Sequence, residues 1–221
     1  ETLELVLRMQ VPDNQIFLDA DVLREFRVLD ALADAGVATP RPRWIEPDPS
    51  VLGHPFFVME RVAGTVPTGA PSIHAAGWLA DRTVRERAVA WDSSLRAITA
   101  IHAVDWRERV PFLADGVYGT TLDSRLAHAT EWYDWARRDR SYAITDAALD
   151  YLTSNVPTDP GPPSLLWGDA RWGNLMFGTD HEVAAVLDWE LASIGPAAID
   201  LGWWLAFDEF TTCAHHIEPL P

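Results

Sequence analysis

The sequence is poor in the features that mark secreted, membrane-spanning or nucleic-acid-binding proteins. It has 221 residues and one cysteine, Cys213, so no intrachain disulfide can form; this suits a reducing compartment, and we expect a cytoplasmic protein. No uninterrupted apolar run approaches the roughly 20 residues of a membrane span, and no charged-then-apolar signal segment opens the sequence. Acidic residues outnumber basic ones by 33 to 17, and a field of that sign repels phosphate backbones. We therefore expect neither a membrane nor nucleic acid as a partner.

The front of the sequence predicts a small lobe that is rich in β-structure. A first apolar run reads as a strand, the next segment has apolar residues at helical spacing behind acidic ones, and two further runs read as strands. These segments are "LELVLRMQV" at 3–11, "DADVLREFRVLDALADAG" at 19–36, Arg43–Glu46 and "HPFFVMERVAG" at 54–64. Because the sequence lacks an initial Met and enters a predicted strand almost at once, we expect it to begin within its domain.

The rest of the sequence predicts a larger lobe that is mainly helical. Helices are predicted at 85–102, 123–138 and 142–155 and in "AAIDLGWWLAFDEF" at 197–210. The short apolar runs "SLLW" and "NLMF" and the strand-like "EVAAVLDW" interrupt them, and we expect a hairpin-like insert there. The length, with 48% hydrophobic residues, allows two lobes that share a cleft. We therefore predict an α+β fold with a small lobe at 1–62 and a larger lobe at 63–221.

Four polar residues stand where the larger lobe is otherwise apolar. Asp169 and Asn174 lie five positions apart in "LLWGDARWGNLMF", Asp188 ends a strand-like run, and Asp200 lies in "AAIDLGWW". Alone, the first two would also suit a structural turn. A carboxylate beside buried sequence is costly unless it is paired, hydrogen-bonded or metal-bound, so we expect all four to meet at one site. Their spacing is that of a kinase catalytic loop and its metal-binding Asp.

These motifs resemble the core of the aminoglycoside phosphotransferase-like family of small-molecule kinases, which is related to choline kinases. The segments "GDARWGNLMF", "LDWE" and "IDLGWW" carry the resemblance, and "LREFRVLDAL", "PFFVMERVAG" and "IHAVDW" support it. Their wording is closest to the branch associated with acyl-CoA dehydrogenases. The resemblance implies a protein-kinase-like two-lobe fold. It also implies an ATP- and Mg²⁺-dependent transfer of the γ-phosphoryl group to a hydroxyl of a small molecule.

The resemblance implies a role for each matching residue of the larger lobe. Asp169 would be the catalytic base that positions the acceptor hydroxyl. Asn174 and Asp188 would hold Mg²⁺ between the ATP phosphates, in keeping with the preference of that ion for oxygen ligands. Asp200 would support the catalytic loop. Glu190, from the "LDWE" signature, would orient the loop or contact the substrate.

The small lobe would hold the nucleotide. Arg8 stands on the first strand where kinases place a phosphate-contacting Lys, and Glu25 on the following helix would be its ion-pair partner. Glu60 to Val62 would form the hinge that meets adenine through backbone groups, with Met59 behind it. These roles are also implied by the resemblance.

Departures from the family pattern leave other functions open. Arg8 replaces Lys and is larger and forked, Trp167 replaces the His that commonly precedes the Gly-Asp, Pro196 stands where "GD" is often read, and no Gly-rich loop precedes the first strand. These departures favour a nucleotide-binding pseudokinase or regulatory module, whereas retention of the base and the metal-binding pair favours an enzyme. A protein kinase is a further alternative, disfavoured by the lack of an activation segment. The acceptor and the oligomeric state stay open.

Overall fold

The computed structural model describes residues 3–10, 21–67, 69, 72–214, 216 and 219–220. The last residue of the first predicted strand, Val11, and the first two residues of the first predicted helix, Asp19 and Ala20, lie outside these ranges. In chain order the elements are β1 Leu5–Met9, α1 Val22–Leu32, β2 Pro42–Glu46, β3 Phe56–Glu60, α2 Val84–His102, α3 Trp106–Arg109, α4 Leu122–Arg137, α5 Ala143–Ser154, β4 Pro163–Leu166, β5 Leu175–Phe177, β6 Val183–Val186, β7 Ser193–Pro196 and α6 Ala198–Cys213.

The front of the chain forms a three-stranded antiparallel sheet with α1 packed against it. β3 lies between β1 and β2, and Arg8 of β1 is paired with Phe57. α1 begins after Asp21 because the carboxylate of that residue accepts hydrogen bonds from two backbone N–H groups of the first turn. The ring of Phe26 on α1 meets the fully buried ring of Phe57 edge-on. The predicted strand, helix, strand, strand order is confirmed, and it holds Arg8 and α1 on one framework.

Helices account for far more of the rest of the chain than strands do, as predicted. α2 begins at a capping box in which Thr83 and Glu86 each bond the backbone N–H of the other. Ile98 and Ile101 on its inner face are fully buried. α3 is a single turn that the sequence pattern did not predict. No helix within the described ranges is long and apolar enough to cross a lipid bilayer.

The two apolar runs that flank the Asp–Asn loop, residues 167–174, do not pair with each other. The predicted hairpin-like insert is therefore wrong in its pairing. β4 pairs with β7, a strand that was not predicted, and β5 pairs with β6. Because β7 leads directly into α6, its pairing with β4 brings the first turn of α6 beside the loop. The loop thus joins two separate two-stranded sheets and rests on a helix.

Three tryptophans are the largest fully buried side chains, namely Trp167, Trp189 and Trp204. The indole N–H of Trp167 donates to the Leu187 carbonyl at 2.8 Å, and that of Trp189 donates to the Val186 carbonyl at 3.0 Å. Among the side chains that the structure describes, only Trp204 has a buried nitrogen without a hydrogen-bond partner. The three indoles are therefore all buried, but only two of their N–H groups have a hydrogen-bond acceptor. A buried donor without an acceptor costs free energy.

We expect Trp167→Phe to destabilise the fold more than Trp204→Phe. Both changes remove the same atoms from fully buried sites, but only the first leaves a backbone carbonyl, that of Leu187, without its donor. The two losses in the free energy of unfolding should differ by about 1–3 kcal/mol, measured by urea denaturation. Equal losses would show that the bond to Leu187 contributes nothing net to the fold.

Candidate active site

The Asp–Asn loop is held by the carboxylate of Asp200, in the first turn of α6. Its oxygens accept the backbone N–H groups of Trp167 at 2.8 Å and Gly168 at 2.9 Å, and one of them lies 3.0 Å from His102 Nε2. Asp200 is fully buried, and these three partners replace the water that a buried carboxylate loses. Gly168 has φ +94°, and a Cβ there would collide with the backbone carbonyl of Leu191. Asp200 thus contacts the loop backbone directly, and its role as support of the loop stays a prediction.

Asp169 has a carboxylate that three donors hold in one orientation. Its Oδ2 accepts from Arg171 Nε at 2.8 Å and from Asn174 Nδ2 at 2.6 Å. Its Oδ1 accepts from Trp203 Nε1 at 2.9 Å. The side chain is still 18% exposed, so a ligand can reach it. A fixed, reachable carboxylate suits a base that must meet a hydroxyl in a defined geometry.

Asn174 and Asp188 present the oxygen atoms that a hard cation prefers. The amide nitrogen of Asn174 donates to both the backbone carbonyl and Oδ2 of Asp169, so its amide oxygen is left for another partner. Asp188 lines the same cleft with φ +60°, a backbone conformation that Asp tolerates better than most residues. Over the described ranges, no group of three or more His, Cys, Asp or Glu side chains could hold a metal ion. Two oxygen donors suit a Mg²⁺ ion, which keeps water and substrate phosphates as its other ligands; the role of this pair stays a prediction.

Arg8 connects β1 to three carboxylates. Its Nε donates to Glu25 Oε2 at 3.0 Å, and its Nη2 donates to Asp188 Oδ1 at 3.2 Å and Glu190 Oε2 at 3.0 Å. One guanidinium against three carboxylates leaves two net negative charges when all are ionised. Burial raises the pKa of each of these three carboxyl groups above its ordinary value, although Arg8 opposes the shift. A further cation at this cluster would relieve the excess charge.

The cleft beside Arg8 has a volume of about 400 Å³, and Met59 lines it. The predicted hinge follows Met59, and its residues differ in what they can offer. The side chain of Glu60 pairs with Arg43, and its backbone N–H donates to the Arg41 carbonyl at 2.9 Å. Within the described part of the chain, no hydrogen bond uses the backbone groups of Val62. If the hinge binds adenine, the backbone groups of Val62 are more available for hydrogen bonds to the base than those of Glu60. The role of this segment stays a prediction.

Two residues of the site were not predicted from the sequence. Arg171 lies two positions after Asp169 and bonds it through Nε, leaving the ends of its guanidinium beside Gly173. Because Arg171 is a charged residue within the loop, the sequence alone could have identified it as a candidate site residue. Trp203 is 34 residues from Asp169 along the chain and reads only as part of an apolar helix. No local pattern could have placed its indole on the carboxylate.

Comparison with known proteins shows similarity over nearly the whole chain. The sequence profile of the phosphotransferase enzyme family matches residues 4–215. A protein from Ralstonia eutropha JMP134 assigned as an aminoglycoside phosphotransferase is 30% identical, with a TM-score of 0.72 over 98% of this chain and 59% of that one. Aminoglycoside phosphotransferase APH(3'')-Id from Streptomyces rimosus, solved with ADP and streptomycin, has a TM-score of 0.64 at 11% identity, over 97% and 81% of the chains. The predicted kinase-like, two-lobe α+β fold is confirmed.

The curated relatives are longer proteins that are named as acyl-CoA dehydrogenases. Human acyl-CoA dehydrogenase family member 11 is 27% identical over 209 residues, which cover 91% of this chain and 25% of that protein. The chain thus spans about a quarter of the length of the curated relatives it matches. The predicted resemblance to this branch is confirmed.

We expect Glu25→Gln to change how stability depends on pH. Burial raises the pKa of Glu25 despite Arg8, so the folded protein binds this proton more tightly than the unfolded chain does. The resulting contribution to stability is fully present below the unfolded pKa of about 4.3 and is lost as the pH rises through the folded pKa. Thermal unfolding should therefore show a smaller fall in stability from about pH 4 to neutrality in Glu25→Gln than in the parent.

The exposed Glu131 on α4 supplies the control. Glu131→Gln should keep the pH dependence of the parent, because it removes a similar charge without a buried group. Parallel pH curves for the parent and Glu25→Gln would contradict the assignment of a raised pKa to Glu25.

Proposed function

The chain belongs to the phosphotransferase enzyme family, and we propose that it transfers the γ-phosphoryl group of ATP to a hydroxyl of a small molecule. One observation carries the proposal. The oxygen donors Asn174 and Asp188 and the guanidinium of Arg8 line one cleft, and the firmly held Asp169 is hydrogen-bonded to Asn174. Phosphoryl transfer depends on positioning and on offsetting phosphate charge more than on covalent chemistry by the protein. These four residues supply both.

Asp169 acts on the acceptor in the proposed reaction. It orients the hydroxyl and takes its proton as the new bond from oxygen to the γ-phosphorus forms and the bond from that phosphorus to the ADP oxygen breaks. Asn174 and Asp188 would hold Mg²⁺. When bound, Mg²⁺ would offset the charge on the phosphate oxygens.

We propose that two arginines contact phosphate. Arg8 approaches from the small lobe and is oriented by Glu25, whereas Arg171 approaches from the loop beside Asp169. The sequence contains no lysine, so a cation that lysine supplies in many phosphate sites must here be an arginine. A guanidinium can bind phosphate oxygens through two parallel N–H groups, which favours a fixed phosphate orientation.

A nucleotide-binding module without turnover is the alternative function. Trp167 and Arg8 motivated it, because each replaces a residue that the family commonly uses. However, Trp167 is satisfied by its bond to the Leu187 carbonyl, and Arg8 keeps an acidic partner on α1. A pure binder has no need of a base such as Asp169, which three donors orient. The geometry therefore favours an enzyme.

The acceptor is best approached through the names of the relatives. Streptomycin was bound in one structural neighbour, so amino-sugars form the first group of acceptors. The curated relatives are named as acyl-CoA dehydrogenases, so hydroxyacyl thioesters form the second group. Choline-like alcohols and sugars complete a panel in which Mg²⁺-dependent ADP release is measured.

We expect Asp169→Asn to abolish most turnover with any acceptor that the parent accepts. The amide cannot take the hydroxyl proton, and loss of a general base typically costs about 10²- to 10⁴-fold in rate. ATP binding, measured by calorimetry, should stay close to that of the parent, because Asp169 is proposed to act on the acceptor. Asp150→Asn, at an exposed position on α5, is the matched control and should keep full turnover.

A parent protein without Mg²⁺-dependent ADP release on the whole panel would overturn the proposed function. Full turnover by Asp169→Asn would instead leave an enzyme but reject Asp169 as its base. Turnover with generic protein substrates only would identify a protein kinase.

We expect Asp188→Asn to raise the Mg²⁺ concentration needed for half-maximal turnover by about tenfold or more. A metal ligand that loses its charge binds the ion less tightly, and even changes beyond the ligands cost about 10- to 100-fold in metal affinity. A titration of Mg²⁺ at saturating ATP measures the effect, with Asp150→Asn as the reference. An unchanged Mg²⁺ requirement would mean that Asp188 does not bind the metal.

A further inference from the structure

We infer that Trp203 is a positioning residue for the catalytic base: its indole N–H holds Oδ1 of Asp169 and thereby directs the remaining acceptor position of the carboxylate toward the incoming hydroxyl. The inference deepens the proposed function and rests on it. It starts from a contact between two side chains 34 residues apart, a 2.9 Å hydrogen bond from Trp203 Nε1 to Asp169 Oδ1.

The hydrogen bonds to Asp169 show which of its oxygens remains open. An ionised carboxylate has about four acceptor positions, two on each oxygen. Arg171 Nε and Asn174 Nδ2 both donate to Oδ2, so they fill its two positions. Trp203 fills one position on Oδ1. The acceptor hydroxyl therefore has one place to donate its proton, on Oδ1 beside the indole.

The position of Trp203 on α6 makes its donor rigid. Trp203 follows Asp200 by three residues, so the two side chains leave neighbouring parts of the same helical face. Asp200 bonds the loop backbone at Trp167 and Gly168, and Trp203 bonds the side chain of the next residue, Asp169. One stretch of α6 thus sets both the path of the loop and the orientation of the base.

Burial does not account for a tryptophan at this position. Trp203 is 45% exposed, close to the 47% of Trp135 on α4. Its ring meets Phe207 at a centroid distance of 5.7 Å, and its N–H goes to Asp169. A residue this exposed contributes little to the core, so loss of its N–H should act on the base rather than on the fold.

The first experiment compares Trp203→Phe with Trp135→Phe on an acceptor that the parent phosphorylates. Trp203→Phe keeps an aromatic ring and removes the donor, and hydrogen bonds to charged groups are worth enough to expect a fall in kcat of about 10- to 100-fold. The KM for ATP and the midpoint of thermal unfolding should stay near those of the parent. Trp135→Phe should match the parent in all three measurements.

A second experiment asks whether Trp203 acts through Asp169. In the Asp169→Asn background the base is already lost, so adding Trp203→Phe should lower the residual turnover by less than about twofold. In a spectrum of ¹⁵N-labelled indoles, Asp169→Asn should shift the N–H resonance of Trp203, assigned from its absence in Trp203→Phe. The resonance of Trp135 should not move.

The outcomes separate this inference from the proposed function. The inference is overturned if Trp203→Phe keeps the kcat of an active parent. It is overturned if Trp203→Phe raises the KM for ATP by the same factor by which it lowers kcat. It is also overturned if the Trp203 N–H resonance does not shift in Asp169→Asn. It is also overturned if the double variant loses as much turnover as the two single losses multiplied together. A parent that is inactive on every acceptor overturns the proposed function, and the inference with it.

Discussion

The candidate site depends on one buried carboxylate, that of Asp200. It joins parts of the protein that are far apart in the chain, because it contacts His102 at the end of α2 and the first two N–H groups of the Asp–Asn loop while belonging to α6. None of these partners can move away without leaving a polar group unpaired in the core. The loop is therefore confined to one path, and the position of Asp169, the next residue, follows from it.

Tryptophan side chains make hydrogen bonds in this protein that smaller polar residues could also make. Trp167, which stands where the family commonly has His, fills the core with its ring and bonds the Leu187 carbonyl with its N–H. Leu187 immediately precedes Asp188, so this single side chain ties the Asp–Asn loop to the segment that carries the proposed metal ligand. Trp167 thus has a larger ring than the His that the family commonly has, and it still makes a polar contact because the indole has one N–H donor.

The sequence predicted those features that depend on local pattern. Apolar spacing placed α1, α2 and α6 within a few residues of their observed bounds. The spacing of Asp169, Asn174 and Asp188 predicted a shared site; Asn174 and Asp188 line one cleft, and Asn174 bonds Asp169. It did not predict β7 or its pairing with β4, because four residues ending in Gly-Pro carry little strand signal and the partner lies some thirty residues away. The bond from Trp203 to Asp169 was missed for the same reason, since long-range contacts leave no periodicity.

Charge dominates the part of the cleft beside Arg8, where one guanidinium bonds three carboxylates. Arg8 alone cannot neutralise Glu25, Asp188 and Glu190, and burial makes their ionised forms costly, as their raised pKa values show. A divalent cation would balance the two remaining negative charges. Under the proposed function, the charge of this cluster would therefore favour binding of Mg²⁺ at Asp188. The proposed function requires Arg8 to exchange part of its contact with the carboxylates for contact with phosphate, which its partial exposure permits.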